Sequence, residues 1–249
     1  MRSPRETAGA MLGRMQTLQA NPRLIARMAG ILSLLTILGG IFAQGFVSDR
    51  LLVFTDAAAT ANNILANRSL FQLSFTVYLI EMACQIASVA MIYSLLRPVS
   101  RPLALVGAFI ELSGCIIKTL SRLFYIAPLF VLSSGTAVLS AYNADQLRAL
   151  ALLLLKINDR GAAMALAFFG VSGVITGYLI FKSTFLPRTL GILAMIGSAG
   201  WLRYFYQPLR FPPFLVIVLL ALLVAAVQIF WFITFGVDEK RWKERAAQL

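Results

Sequence analysis

Apolar residues in this chain gather into long blocks that short polar or basic stretches separate. The blocks cover residues 24–47, 71–96, 103–132, 161–181, 189–206 and 214–235. A helix needs roughly 20 apolar residues to cross a hydrocarbon layer about 30 Å thick. The pattern therefore predicts six transmembrane helices. The fold class expected is all-α: a polytopic transmembrane helix bundle, with short interfacial helices between spans.

The breaks support this division. RPVSRP (Arg97–Pro102) and KSTFLPR (Lys182–Arg188) are tight basic turns whose prolines stop helices. In 48–70, Thr55 is expected to cap a short alanine-rich surface helix. In 133–160, Asn143 and Gln146 have capping-box spacing. The apolar core 149–155 is too short to span, so 141–156 is expected to lie at the interface as a separate amphipathic helix. The fifth block is the weakest, because Arg203 sits near its end. Residues 1–23 form a polar segment, with a loose or surface helix expected from Met1 to Pro22, and 237–249 form a basic tail.

Composition agrees: 59% of residues are hydrophobic and 13% are charged. A soluble domain has roughly 45–50% and about 25%. The net charge of +12 would suggest nucleic acid in a soluble protein. Here the basic residues lie in short segments beside apolar blocks, which is how orientation signals look, and no nucleic-acid partner is expected. Thirteen Lys and Arg fall on the side of the N-terminus, the two basic turns and the tail, against seven on the other side. Both termini are therefore expected to be cytoplasmic, in the cell membrane.

The chain has no histidine and two cysteines, Cys84 and Cys115. Histidine-ligated haem, histidine-box di-iron sites, zinc hydrolases and serine–histidine hydrolases are excluded on this ground. No cofactor or metal site is expected, and the balance lies against an enzyme.

The third block nevertheless carries charge. At 100° per residue, Cys115, Lys118 and Arg122 fall at about 40°, −20° and 20° from Glu111, so all share one stripe. A charge at mid-membrane costs on the order of 2.5–3.5 kcal/mol, so the stripe must face protein or water. Tyr78, Glu81, Gln85 and Ser88 form a matching stripe on the second block. In an antiparallel hairpin around Arg97–Pro102, Glu81 comes level with Lys118 and Ser88 with Glu111. The candidate site is this polar seam: Glu81, Gln85, Ser88, Glu111, Lys118 and Arg122, with a Glu81–Lys118 ion pair. Arg122 is expected to snorkel outward or to meet Asp159. Burial favours the neutral acid, which marks Glu111 for proton coupling. A register-holding role for the seam stands beside the functional one. Gly170, Gly173 and Gly177 suit close helix packing.

RMAGILSLLTILGGIFAQGFV, DAAATANNILANRSLFQLSF, YIAPLFVL and GYLIFKSTFLPRTLGIL, in this order, resemble DUF4386, a family of bacterial membrane proteins of unknown function. The resemblance implies a multi-span helical protein of the bacterial inner membrane and no particular activity. It also implies histidines at two places where this chain has Tyr125 (RLFYIAP) and Asn158 (LKINDRG).

Two functions fit these readings. The first is a small transporter or permease-like protein using the seam. The alternative is a non-catalytic sensor, assembly factor or regulatory subunit. The lipid bilayer is the expected surrounding, with a membrane protein or a second copy of the chain as the expected kind of partner.

Overall fold

The structure is a computed structural model, and it describes residues 21–133, 141–205 and 214–248. The expected helix over Met1–Pro22 lies almost wholly outside them. So does QPLRFPP (Gln207–Pro213), where the sequence predicts a turn and Pro208 is expected to loosen a helix end.

Eight helices are present among the described residues, and no strand. They are α1 (Pro22–Leu51), α2 (Ala57–Ala66), α3 (Arg68–Leu96), α4 (Arg101–Leu132), α5 (Ala144–Lys182), α6 (Arg188–Ala199), α7 (Phe214–Thr234) and α8 (Glu239–Ala246). Residues Ile41–Ser48 of α1 are wound as a π-helix. A 3-10 stretch, Gly200–Phe205, follows α6. Helices α1, α3, α4, α5 and Val216–Thr234 of α7 are long and apolar enough to cross a membrane. Large apolar side chains stand on their outer faces, Phe109, Ile116, Leu120, Leu123 and Phe130 on α4 alone. A water-facing surface does not carry apolar exposure on this scale; a lipid-facing one does.

Three expectations are corrected. The fifth block does not form one long helix: α6 has 12 residues and tightens into 3-10 winding at Gly200. Gly191, Gly197 and Gly200 weaken its helical preference, and close packing takes over. Second, 141–156 is not a separate interfacial helix: from Ala144 on it is the first part of α5, which runs unbroken for 39 residues. The capping box does form: Gln146 N donates to Asn143 Oδ1 and Asn143 N to Gln146 Oε1, both at 2.9 Å. No proline follows it, so nothing breaks the helix between Lys156 and Gly161. Third, Asp56, not Thr55, caps α2, accepting from Ala59 N at 2.9 Å. Pro128 lies inside α4.

The chain divides into two compact units. The first comprises 1–33, 87–111 and 169–249; the second comprises 34–86 and 112–168.

In the first unit the core joins Ile25, Ala26 and Ala29 of α1 to Leu95, Leu96, Leu179, Ile180, Phe232 and Trp242. Segment 188–202 packs antiparallel to α5. A Cβ on Gly191 would meet Phe181 N at 2.5 Å and Gly177 O at 2.6 Å, and one on Gly173 would meet Ser198 Oγ at 2.1 Å. Only glycine admits this approach. The α5 glycines thus serve packing, with α6 as their neighbour. Four segments meet at one end of this unit. Arg23 Nε donates to Val237 O at 3.4 Å, Asp238 N to Phe185 O at 3.2 Å, and Trp242 Nε1 to Leu95 O at 2.8 Å. The start of α1, the turn after α3, the turn after α5 and the tail therefore lie together.

In the second unit, Ala43, Val47, Leu51, Ile64, Phe71, Tyr78, Tyr125, Leu129 and Leu155 form the core. A Cβ on Gly161 would come within 2.0 Å of Ser121 Oγ, so this glycine lets α5 close on α4. That approach brings Asn158 to Arg122.

Candidate functional site: a buried polar cluster

The second unit holds a polar cluster built from α1, α3, α4 and α5. Lys118 Nζ donates to Glu81 Oε1 at 2.5 Å, the level pairing that the hairpin register predicts. Glu81 is 4% exposed and lies against α1, where a Cβ on Gly40 would stand 3.4 Å from Oε1. The glycine pair Gly39–Gly40 leaves room for the carboxylate beside the helix backbone.

One turn beyond Lys118, Arg122 is buried, 3% exposed. It neither snorkels nor meets Asp159, as had been expected. Its Nη1 donates to Asn158 Oδ1 at 3.0 Å, and its guanidinium carbon lies 3.6 Å from the centre of the Tyr78 ring. The reason is helical phase: Asn158 points inward beside buried Leu155, whereas Asp159 is exposed. A guanidinium over an aromatic face gains roughly 2 kcal/mol when desolvated.

Hydroxyls complete the cluster. Tyr78 OH donates to Gln44 Oε1 at 2.8 Å. Tyr125 OH donates to Ser74 Oγ at 3.1 Å, and Ser74 Oγ to Ala43 O at 3.2 Å. Ser48 Oγ stands 2.9 Å from Ala43 O and 3.2 Å from both tyrosine hydroxyls. The π-helix explains this convergence. Its i→i+5 winding sets Ser48 five residues beyond Ala43, so that hydroxyl and carbonyl meet. Tyr125 stacks on Phe71 at 4.4 Å and meets Tyr78 edge-on at 5.2 Å, which fixes both phenols.

Among the described residues, two polar atoms in the cluster are buried without a protein hydrogen-bond partner, Glu81 Oε2 and Arg122 Nε. The cluster sets one basic side chain, Lys118, on the Glu81 carboxylate and a second, Arg122, on Asn158 and Tyr78. Its arrangement can bind a small polar species, relay a proton along the hydroxyls, or lock four helices together.

Of the six residues expected at the site, Glu81, Lys118 and Arg122 fall within this cluster. Gln85 belongs to the second unit, while Ser88 and Glu111 belong to the first. The Ser88 hydroxyl lies 3.0 Å from that of Ser33. Gln44, Ser48, Ser74, Tyr125 and Asn158 were not expected at the site. The signal available for them was a polar residue inside an apolar block. It shows in sequence for Gln44, Ser74 and Tyr125, whereas Ser48 and Asn158 fall outside the blocks, and four helices must be assembled before a common site shows. Tyr125 and Asn158 are also the two positions where the family resemblance implies histidine.

Lipid-facing outer surfaces, five membrane-length helices and a polar interior define the class: a polytopic all-helical membrane protein. The family model described as a domain of unknown function, DUF4386, matches residues 28–236. The chain belongs to that family, and the match takes in every residue of the cluster. No curated protein and no solved structure matches the chain.

Proposed function

We propose that the chain is a small transporter or permease-like protein of the bacterial cytoplasmic membrane, and that the Glu81–Lys118–Arg122 cluster is its polar site for a small solute or a proton. One observation carries this reading: Glu81 Oε2 and Arg122 Nε are buried with no protein hydrogen-bond partner among the described residues. A purely structural network gains by satisfying every buried polar atom. Polar atoms kept open at membrane depth fit a site that exchanges a ligand.

The proposed topology has six crossings and cytoplasmic termini. Its support is the meeting of Arg23, Leu95, Phe185 and Asp238 at one end of the first unit. The chain must leave that end and return between Phe185 and Asp238. The outward leg is α6 with its 3-10 extension, 12 and 6 residues. At 1.5 and 2.0 Å per residue they cover about 30 Å when coaxial, one hydrocarbon thickness.

Proteoliposomes test the reading. The wild-type chain is expected to move protons, or one solute from a panel of small carboxylates, amines and phosphate, faster than protein-free vesicles, and Glu81→Gln to abolish the difference. If no member of the panel and no proton moves above the protein-free rate, the transporter reading falls. A sensor, assembly factor or regulatory subunit then takes its place.

A further inference from the structure

A second candidate site lies in the first unit, at the end where α1 starts and α7 stops. Helix α7 ends on Gly236, whose φ is +65°, with Gly236 N donating to Trp231 O at 3.0 Å. This left-handed cap turns the chain sharply, and Asp238 then caps α8 by accepting from Arg241 N at 3.1 Å. Between this reversal, loop 183–187 and the start of α1 is an opening of about 400 Å³. Its size suits a small organic ligand.

The lining is amphipathic. Trp231 and Phe235 form one wall; Arg23, Arg241, Asp238 and Thr184 stand at the rim. Arg23 is held through Nε, and Arg241 through Nε and one terminal nitrogen. Arg23 Nε faces Val237 O at 3.4 Å and Glu239 Oε1 at 3.6 Å. Arg241 Nε faces Asp238 Oδ2 at 3.4 Å, and its Nη1 donates to Thr184 O at 3.2 Å. Among the described residues, no hydrogen bond engages the terminal nitrogens of Arg23 or Nη2 of Arg241. Lys182 and Arg188 flank the loop in sequence, but their charged groups lie over the rings of Tyr178 and Phe181, so Arg23 and Arg241 are the cations of the lining.

Pre-oriented guanidinium forks match phosphate oxygens. A soluble phosphate would need no aromatic wall. A phospholipid does, because its glycerol lies just below the phosphate at the depth where Trp collects, and its first acyl carbons lie deeper, where an apolar ring such as that of Phe235 can meet them. Basic residues at a helix-end surface also suit the anionic leaflet.

We propose that this opening binds the head of an acidic phospholipid, with Arg23 and Arg241 on the phosphate and Trp231 and Phe235 against the glycerol and upper acyl chain. The reading is independent of transport by the polar cluster.

Thermal unfolding of the full chain in detergent tests it, with titration of phosphatidylglycerol, of phosphatidylcholine with the same acyl chains, or of inorganic phosphate. Phosphatidylglycerol is expected to raise the melting temperature and phosphatidylcholine to leave it unchanged. In Arg23→Gln/Arg241→Gln, the half-maximal phosphatidylglycerol concentration should rise about tenfold or more, the loss of at least one charge-assisted hydrogen bond. Arg245→Gln removes the same charge from α8 outside the opening and should titrate like wild type. Should the glutamine pair fail to fold, Arg23→Lys/Arg241→Lys keeps the charge, loses the fork and should still weaken binding severalfold. Equal stabilisation by phosphatidylcholine overturns the proposal, as does full stabilisation by inorganic phosphate. So does an unchanged titration in the arginine variants, or an equal loss in Arg245→Gln.

Discussion

Lys118 Nζ and Glu81 Oε1 stand 2.5 Å apart, joining α4 to α3 at equal distances from the turn that connects them. Sequence register sets this contact, because two straight helices leaving one short turn rise 1.5 Å per residue together. Removing one partner leaves a buried charge alone, whereas removing both leaves none.

Glu81→Gln and Lys118→Met are therefore each expected to destabilise by about 3–5 kcal/mol, with the double variant recovering most of the loss. Thermal or denaturant unfolding of all four proteins in one detergent checks this. Single variants that melt like wild type would mean that water reaches the pair.

Arg122 offers a finer test, because charge alone does not explain its place. Arg122→Lys keeps the charge but loses the planar stack on Tyr78 and the geometry toward Asn158. It should cost about 1–3 kcal/mol. Asn158→Leu should cost a similar amount by leaving Nη1 without its acceptor, and Asn158→Asp should be tolerated better than Asn158→Leu. Unfolding midpoints of the three variants give the order.

The glycine contacts separate packing from simple helix preference. Gly191→Ala forces a methyl group to within 2.5 Å of Phe181 N, so α5 and α6 must part. A loss of about 1–3 kcal/mol is expected, as for overpacking. A Cβ on Gly45 meets nothing within 4 Å, and Gly45→Ala should be neutral or stabilising by up to about 1 kcal/mol. Both are read in the same unfolding assay.

Trp242 ties the tail helix down. It is 5% exposed, and its Nε1 donates to Leu95 O at 2.8 Å. Trp242→Phe keeps the ring and should cost about 1 kcal/mol; Trp242→Ala should cost about 3–5 kcal/mol. Limited trypsin digestion at the tail lysines and arginines should quicken in the same order.

Much of this was legible in the sequence, for physical reasons. Long apolar blocks must be helical at membrane depth, since every backbone N–H needs a partner within its own segment. The Glu81–Lys118 contact followed from one hairpin and the helical rise. The family was legible in segment order. Arg122 was not, because its partner depended on how closely α5 approaches α4, and that distance is set by Gly161 against Ser121. The split of the fifth block into α6 and a 3-10 stretch was equally hidden. Gly197 and Gly200, where the winding changes, lie against Val224 and Ile217 of α7, a contact that block length does not encode.

The sequence by itself determined the helical class, the membrane-length blocks and the pairing across the α3–α4 hairpin, because these rest on local periodicity and short loops. Tertiary structure alone decided which hydroxyls reach Tyr78 and Tyr125 and where Arg122 points. It also decided which buried polar atoms stay open. Those outcomes depend on the distances between helices far apart in the chain, and a few glycines and one π-helical stretch set them.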